Sequence, residues 1–383
     1  MRLYRKPLAA SLVSLFFILT AAVASASPTP KENRQAFERD VDAMLQGHVS
    51  KHDWAGNIAI VYAGKQLVRS AYGVGDRTWR IPTRPDAVYR VGSVTKMFTS
   101  VMVLQLVQAG QLSLDASVRT YLPDLPPAWH PITIRHLLNH TSGAAEYMSS
   151  TNSFRTLMRL DLAPDAVLAL VRDQPLRFVP GSKYEYSNTN YVALGLIIEK
   201  LTCKPYAEVI ETRFLRPLGM THSGYFDYTR IVPSLLPGYF RDDGTLQNMF
   251  YIAPSMVYAA GNLYSSIDDL LLWDRALHDT DAVGLDPALK KEMLRNQGFG
   301  YGFGAFVDTV DGETAVGHGG TLPGYQLGYE RFMRLPLTVL VMTNVSPTDV
   351  DKMAVDLAKL FFKHCGKTAP AEQCDLATPA RGR

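Results

Sequence analysis

Ser93-Val94-Thr95-Lys96 sets a hydroxyl and an amine three positions apart, and positions i and i+3 share one face of a helix. The ammonium of Lys96 then reaches the serine oxygen. A serine in the first turn of a helix also meets free backbone N–H groups and the positive end of the helix dipole. A hydroxyl is a weak nucleophile until its proton is removed, so Lys96 is useful with its charge displaced or as a proton relay. Ser-x-x-Lys is a weak pattern whose ordinary use is a helix N-cap with a solvated lysine. It occurs once in this chain, however, at the start of a very apolar helical run.

Tyr186-Ser187-Asn188 is the chain's one Tyr-x-Asn and lies in a loop that enters a helix near Asn190. A phenol there can take and return protons if a cation stabilises phenolate, and the Asn amide can bind a substrate carbonyl and a neighbouring amine. The common uses of these residues are a core tyrosine and an N-cap asparagine. Gly317-His318-Gly319-Gly320-Thr321 follows the strand-like Glu313 to Val316, and paired glycines let a substrate backbone come close. The N–H of Thr321 would join that of Ser93 as an oxyanion hole. The plainer alternative is a glycine-rich turn with a surface histidine.

In order and spacing these three motifs resemble the serine β-lactamase and D,D-peptidase superfamily, in the branch holding class C β-lactamases, D,D-carboxypeptidases and related esterases. Further matching stretches are Leu112 to Asp115, Leu137 to Gly143, Leu215 to Met220 and Gly324-Tyr325, so the resemblance covers roughly residues 35 to 362. It implies Ser93 as nucleophile, Lys96 as its activator, Tyr186 as general base and acid, and Asn188, His318, Gly320 and Thr321 as substrate-binding residues. The implied substrate is a small molecule or a peptidoglycan-derived peptide, cleaved through an acyl-enzyme. Where β-lactamases of this branch usually carry Lys-Thr-Gly, this chain has His318-Gly319-Gly320. The D,D-peptidase and esterase members are similar in this respect, so an ester or D-amino-acid peptide is expected, with weak β-lactamase activity. The rival expectation is a non-catalytic relative that binds penicillin or peptidoglycan as a sensor or scaffold.

Positioning these groups requires a frame. Residues 31–52 place Phe37, Val41, Met44 and Leu45 on one face of a helix, and residues 57–63 and 66–73 flank Gly64-Lys65 as a hairpin. Residues 93–109 are apolar nearly all round and predict a buried central helix. Helical patterns follow at 134–138, 163–172, 190–201 and 267–277, strand patterns at 302–310, 313–317, 326–333 and 337–343, and a last helix at 349–362. The expected class is α+β: an antiparallel sheet flanked by N- and C-terminal helices, with an inserted all-helical lobe at about 97–295 and the cleft at the junction.

Arg2, Arg5 and Lys6, an apolar run over 8–23 and Ala24-Ser25-Ala26 form the pattern of a signal peptide, residues 1–26. Export to the periplasm or medium is the expectation, with residues 27–365 as the hydrolase domain, 366–383 as a polar tail, and no stable membrane anchor after cleavage. The chain is 47% hydrophobic and 20% charged, which excludes general disorder. Loss of residues 1–26 removes three basic and no acidic residues, so charge is balanced and no basic run suggests nucleic acid. Nine scattered histidines and the lack of His-Glu-x-x-His, Walker or Gly-x-Gly-x-x-Gly patterns give no metal and no cofactor. Of three cysteines, Cys365 and Cys374 are expected to pair, and Cys203 to be a buried free thiol. The oligomeric state stays open.

Overall fold

The structure is a computed structural model that describes residues 29–150, 154–366, 374 and 376. The expected signal peptide and most of the tail lie outside these residues. Helix α1 (Pro30–His52) opens with a capping box, in which Thr29 and Glu32 satisfy each other's backbone N–H. A hairpin, β1 (Gly56–Tyr62) and β2 (Lys65–Tyr72), follows. Far along the chain come β3 (Phe306–Val310), β4 (Glu313–Gly317), β5 (Gly320–Leu322), β6 (Tyr325–Phe332) and β7 (Leu337–Thr343). They join the hairpin in one antiparallel sheet of order β3-β4-β6-β7-β1-β2, with β5 also paired to β6.

Both faces of this sheet are covered, and β7 shows how its sequence allows that. Leu337, Val339 and Val341 pack with Phe37, Leu45, Leu357 and Phe361 of α1 and the C-terminal helix, while Leu340 and Met342 face the inserted lobe. The period of two sends alternate side chains to opposite cores. Each fully buried aliphatic side chain contributes roughly 1.5–3 kcal/mol.

The lobe is built on α2 (Thr95–Gln108), buried along its first ten residues, α3 (Asn188–Thr202) and α4 (Ile267–His278). It is not all-helical as expected. Val88–Arg90, Leu263–Ser266 and Gly224–Tyr225 make a small sheet beside the Ser93 turn, and Tyr239–Asp242, Thr245–Asn248 and Val345–Ser346 make another. Pieces of two to four residues are too short to show a period of two. The C-terminal helix α5 (Val350–Cys365) closes the fold, and a disulfide joins Cys365 to Cys374. The tail is less polar in its setting than its composition: Cys374 and Leu376 are buried against the α1–α5 core. Cys203 is exposed, not buried, because it caps the end of α3 with φ 54° and leaves the helix face.

A buried polar cluster fastens the lobe to the sheet. Asp274 of α4 accepts from Tyr329 Oη, from Thr338 Oγ1 at 2.7 Å and from Arg331 Nη1 at 3.1 Å. Arg331 also pairs with Asp279. We expect Arg331→Ala to destabilise the protein by about 3–5 kcal/mol, because Asp274 would keep its burial and lose its cation. A urea midpoint equal to wild type would contradict this.

Candidate active site

Ser93 lies in a short turn, Gly92–Val94, that runs directly into α2. Gly92 has φ 53°, and a Cβ there would stand 2.8 Å from the Thr321 nitrogen. Only glycine permits both the turn and the close passage of β5. Thr95 locks the turn: its Oγ1 donates to the Gly92 carbonyl at 2.7 Å and accepts from Leu263 N–H at 3.2 Å.

Lys96 follows in the first turn of α2 and is wholly enclosed. Its Nζ lies 3.0 Å from Ser93 Oγ, 2.8 Å from Asn188 Oδ1 and 2.8 Å from the Ala260 carbonyl. That carbonyl is available because the helix Pro254–Gly261 breaks at Tyr258, where φ is 32°. Burial pushes the amine down to about 7, opposed by the charge of Glu146. A neutral amine fits the three contacts well. The two carbonyl oxygens can only accept, so they take its two N–H groups, and its lone pair is left facing the Ser93 hydroxyl.

Tyr186 approaches Ser93 from the other side, its Oη donating to Ser93 Oγ at 2.9 Å. Burial drives the phenol well above its usual range, and the contact with Ser93 offsets only part of this. At rest Tyr186 is therefore a neutral donor. His140 fixes the loop that carries it: Nδ1 accepts from Ser187 N–H at 3.2 Å, and the ring lies 4.3 Å from the Tyr186 ring. Asn188 opens α3, with Ser187 at the N-cap making no side-chain bond. Glu146 takes over that task, accepting from the Asn188 and Met148 N–H groups. Sequence reasoning missed Glu146, Ala260 and Tyr301. Glu146 alone left a signal, an acid three residues beyond Ser142-Gly143 in a segment otherwise free of charge from 136 to 154.

His318 departs from expectation. It was expected as a substrate-binding residue, or else as a surface residue, and it is 2% exposed. The Gly319 carbonyl at 2.5 Å can only accept, so Nδ1 donates and Nε2 accepts from Tyr301 Oη at 3.0 Å. Burial, with Lys96 adding to it, pushes the imidazole down to about 3. His318 is thus neutral near pH 7, and both its nitrogens are engaged. Gly320 serves the backbone, since a Cβ there would meet the Val91 carbonyl at 2.0 Å. Ser93, Asn188 and Thr321 do face one cleft of about 160 Å³, walled by Met148, Phe250, Ile252, Val257, Leu322 and Pro323. Among the described residues, no charged side chain lines it.

Comparison with known proteins identifies the family and the fold. The Beta-lactamase family model matches residues 41–361. Esterase EstB of Burkholderia gladioli is 30% identical over 362 residues, covering 80% of this chain and 90% of its own. The putative penicillin-binding protein PbpX of Bacillus subtilis is 25% identical, covering 82% and 76%. Among solved structures, the octameric penicillin-binding protein homologue from Pyrococcus abyssi superposes with a TM-score of 0.78 at 26% identity, covering 89% of this chain and 80% of that one. The D-amino acid amidase of Ochrobactrum anthropi SV3 shares the fold, with a TM-score of 0.75 at 23% identity over 85% of this chain and 99% of its own. With most of its length matched and its fold shared, the chain belongs to the β-lactamase family of serine hydrolases.

Proposed function

We propose that the protein is an exported esterase of this family that cleaves short neutral esters through an acyl-enzyme on Ser93. The observation that carries this reading is the pair of contacts on Ser93 Oγ, Lys96 Nζ at 3.0 Å and Tyr186 Oη at 2.9 Å. Neutral Lys96 takes the Ser93 proton as Oγ attacks the ester carbonyl. The oxygen that becomes negative meets the N–H groups of Ser93 and Thr321. Tyr186 protonates the departing alkoxide and regains a proton from Lys96. Water then repeats the sequence on the acyl-enzyme and restores Ser93.

The cleft walls favour an ester over a carboxylate-bearing substrate. They are apolar, and the group standing where many β-lactamases keep a lysine is a neutral, enclosed imidazole. The name of EstB points the same way. The apolar segment at 8–23 supports export, and the Cys365–Cys374 bond suits an oxidising compartment.

Three outcomes test this reading. Ser93→Ala should abolish covalent labelling by a fluorophosphonate and lower ester turnover roughly 10⁴-fold or more, with an unchanged melting temperature. An adduct on the variant, read by intact-mass spectrometry, would remove Ser93 from its role. Ester kcat/KM should rise with pH through about 7, as Lys96 loses its proton. A flat profile from acid to alkaline pH contradicts a lysine base. Short nitrophenyl esters should be better substrates than cephalosporins by kcat/KM, and the reverse order would mean that a cation reads the substrate carboxylate after all.

A further inference from the structure

Glu146 lies in the segment after the Asn139-His140-Thr141-Ser142-Gly143 stretch, and this segment is stitched to the start of α3. Thr189 Oγ1 donates to the Ala145 carbonyl at 2.7 Å, and Ser142 Oγ donates to Asn190 Oδ1 at 2.6 Å. The carboxylate is therefore held by two elements at once. Its Oε2 accepts the Asn188 N–H, and its Oε1 accepts from Met148 N–H at 3.0 Å and faces Asn188 Nδ2 at 3.4 Å. Every one of these contacts is a donor. Among the described residues no acceptor faces either oxygen for a carboxylic O–H to reach, so these contacts favour the ionised form against the burial that raises its pKa.

We propose that Glu146 is a positioning residue of this site: it caps α3 at Asn188, aims the Asn188 amide at Lys96, and supplies the negative charge that faces the buried amine. The inference rests on the acyl-enzyme reading above and adds a residue that does not touch substrate. With Nδ2 turned to Glu146, the amide presents Oδ1 to Lys96, the orientation that leaves the lysine lone pair for Ser93. The anion also sits at the positive end of a 15-residue helix.

The other titratable groups around Lys96 do not offer a charge. Tyr186 and Tyr191 hold their rings 4.9 and 5.4 Å from Nζ, and burial keeps both phenols protonated. His140 and His318 are pushed down by burial and by Lys96 itself, so both are neutral. Tyr301 beyond them is likewise a protonated phenol. Glu146 raises the basicity of Lys96 and burial lowers it, so removing the carboxylate charge makes the amine lose its proton at lower pH.

The test is the pH dependence of kcat/KM on a short nitrophenyl ester for the full-length protein and two variants, with thermal melts run alongside. Glu146→Gln keeps an acceptor for the Asn188 N–H and loses the charge, so its acid limb should move to lower pH by roughly one unit. Glu146→Asp keeps the charge on a shorter arm, so its limb should stay near the wild-type position while kcat falls. A Gln variant that loses activity equally at every pH, with its limb unmoved, would show that Glu146 only packs. If Gln fails to fold, an Asp variant whose limb shifts downward overturns the proposal by itself. Failure of the wild type to take one fluorophosphonate on Ser93 would instead sink the acyl-enzyme reading on which the proposal rests.

Discussion

A primary amine sealed from water is the constraint around which this molecule is arranged. Removing an ammonium from water is expensive unless it is paired, and an unpaired one sheds its proton instead. Lys96 is met by a hydroxyl, an amide oxygen and a main-chain carbonyl, while the nearest carboxylate addresses it through Asn188. These are enough contacts to hold the amine in place and too little charge to keep it firmly protonated. The apolar surface of α2, the backbone break at Tyr258 and the loop bearing Tyr186 all contribute to that balance.

Around the amine stands a layer of closely packed rings. His140 packs on Tyr186, Tyr301 bonds His318, and Phe306 lies 5.0 Å from the His318 ring. The layer excludes water behind the nucleophile, which strengthens each contact within it. It also explains why His318 cannot act as a charged reader of substrate. The features that seat it between Tyr301 and the Gly319 carbonyl are the same ones that keep it neutral.

Much of this was legible before the fold was known. Ser93, Lys96 and Tyr186 stand out because a helix or a loop entry turns short spacing into proximity, and the long strands β6 and β7 announce themselves by composition. Other parts leave no such trace. Ala260 acts through a carbonyl that every residue possesses, and its direction depends on the dihedral of Tyr258. Glu146 comes near Asn188 across 42 positions, by tertiary packing alone. The environment of His318 was misjudged for a related reason: glycines on its own segment suggested openness, whereas the ring that covers it, Tyr301, comes from the connection before β3. Cys203 shows the limit in miniature, since one left-handed residue at a helix end turned an expected core thiol outward.

The strand beside the nucleophile has a lasting consequence for how the enzyme can change. At Gly317 an added Cβ would lie 1.7 Å from the Tyr329 carbonyl, and at Gly320 2.0 Å from that of Val91. This side of the cleft can therefore acquire almost no new side chains without moving the sheet. The opposite wall, with Met148 on a single helical turn and Phe250 and Ile252 on an irregular connection, lies outside the sheet. Inherited chemistry and adjustable taste are thus housed on separate banks, and divergence among such proteins has one bank on which to proceed.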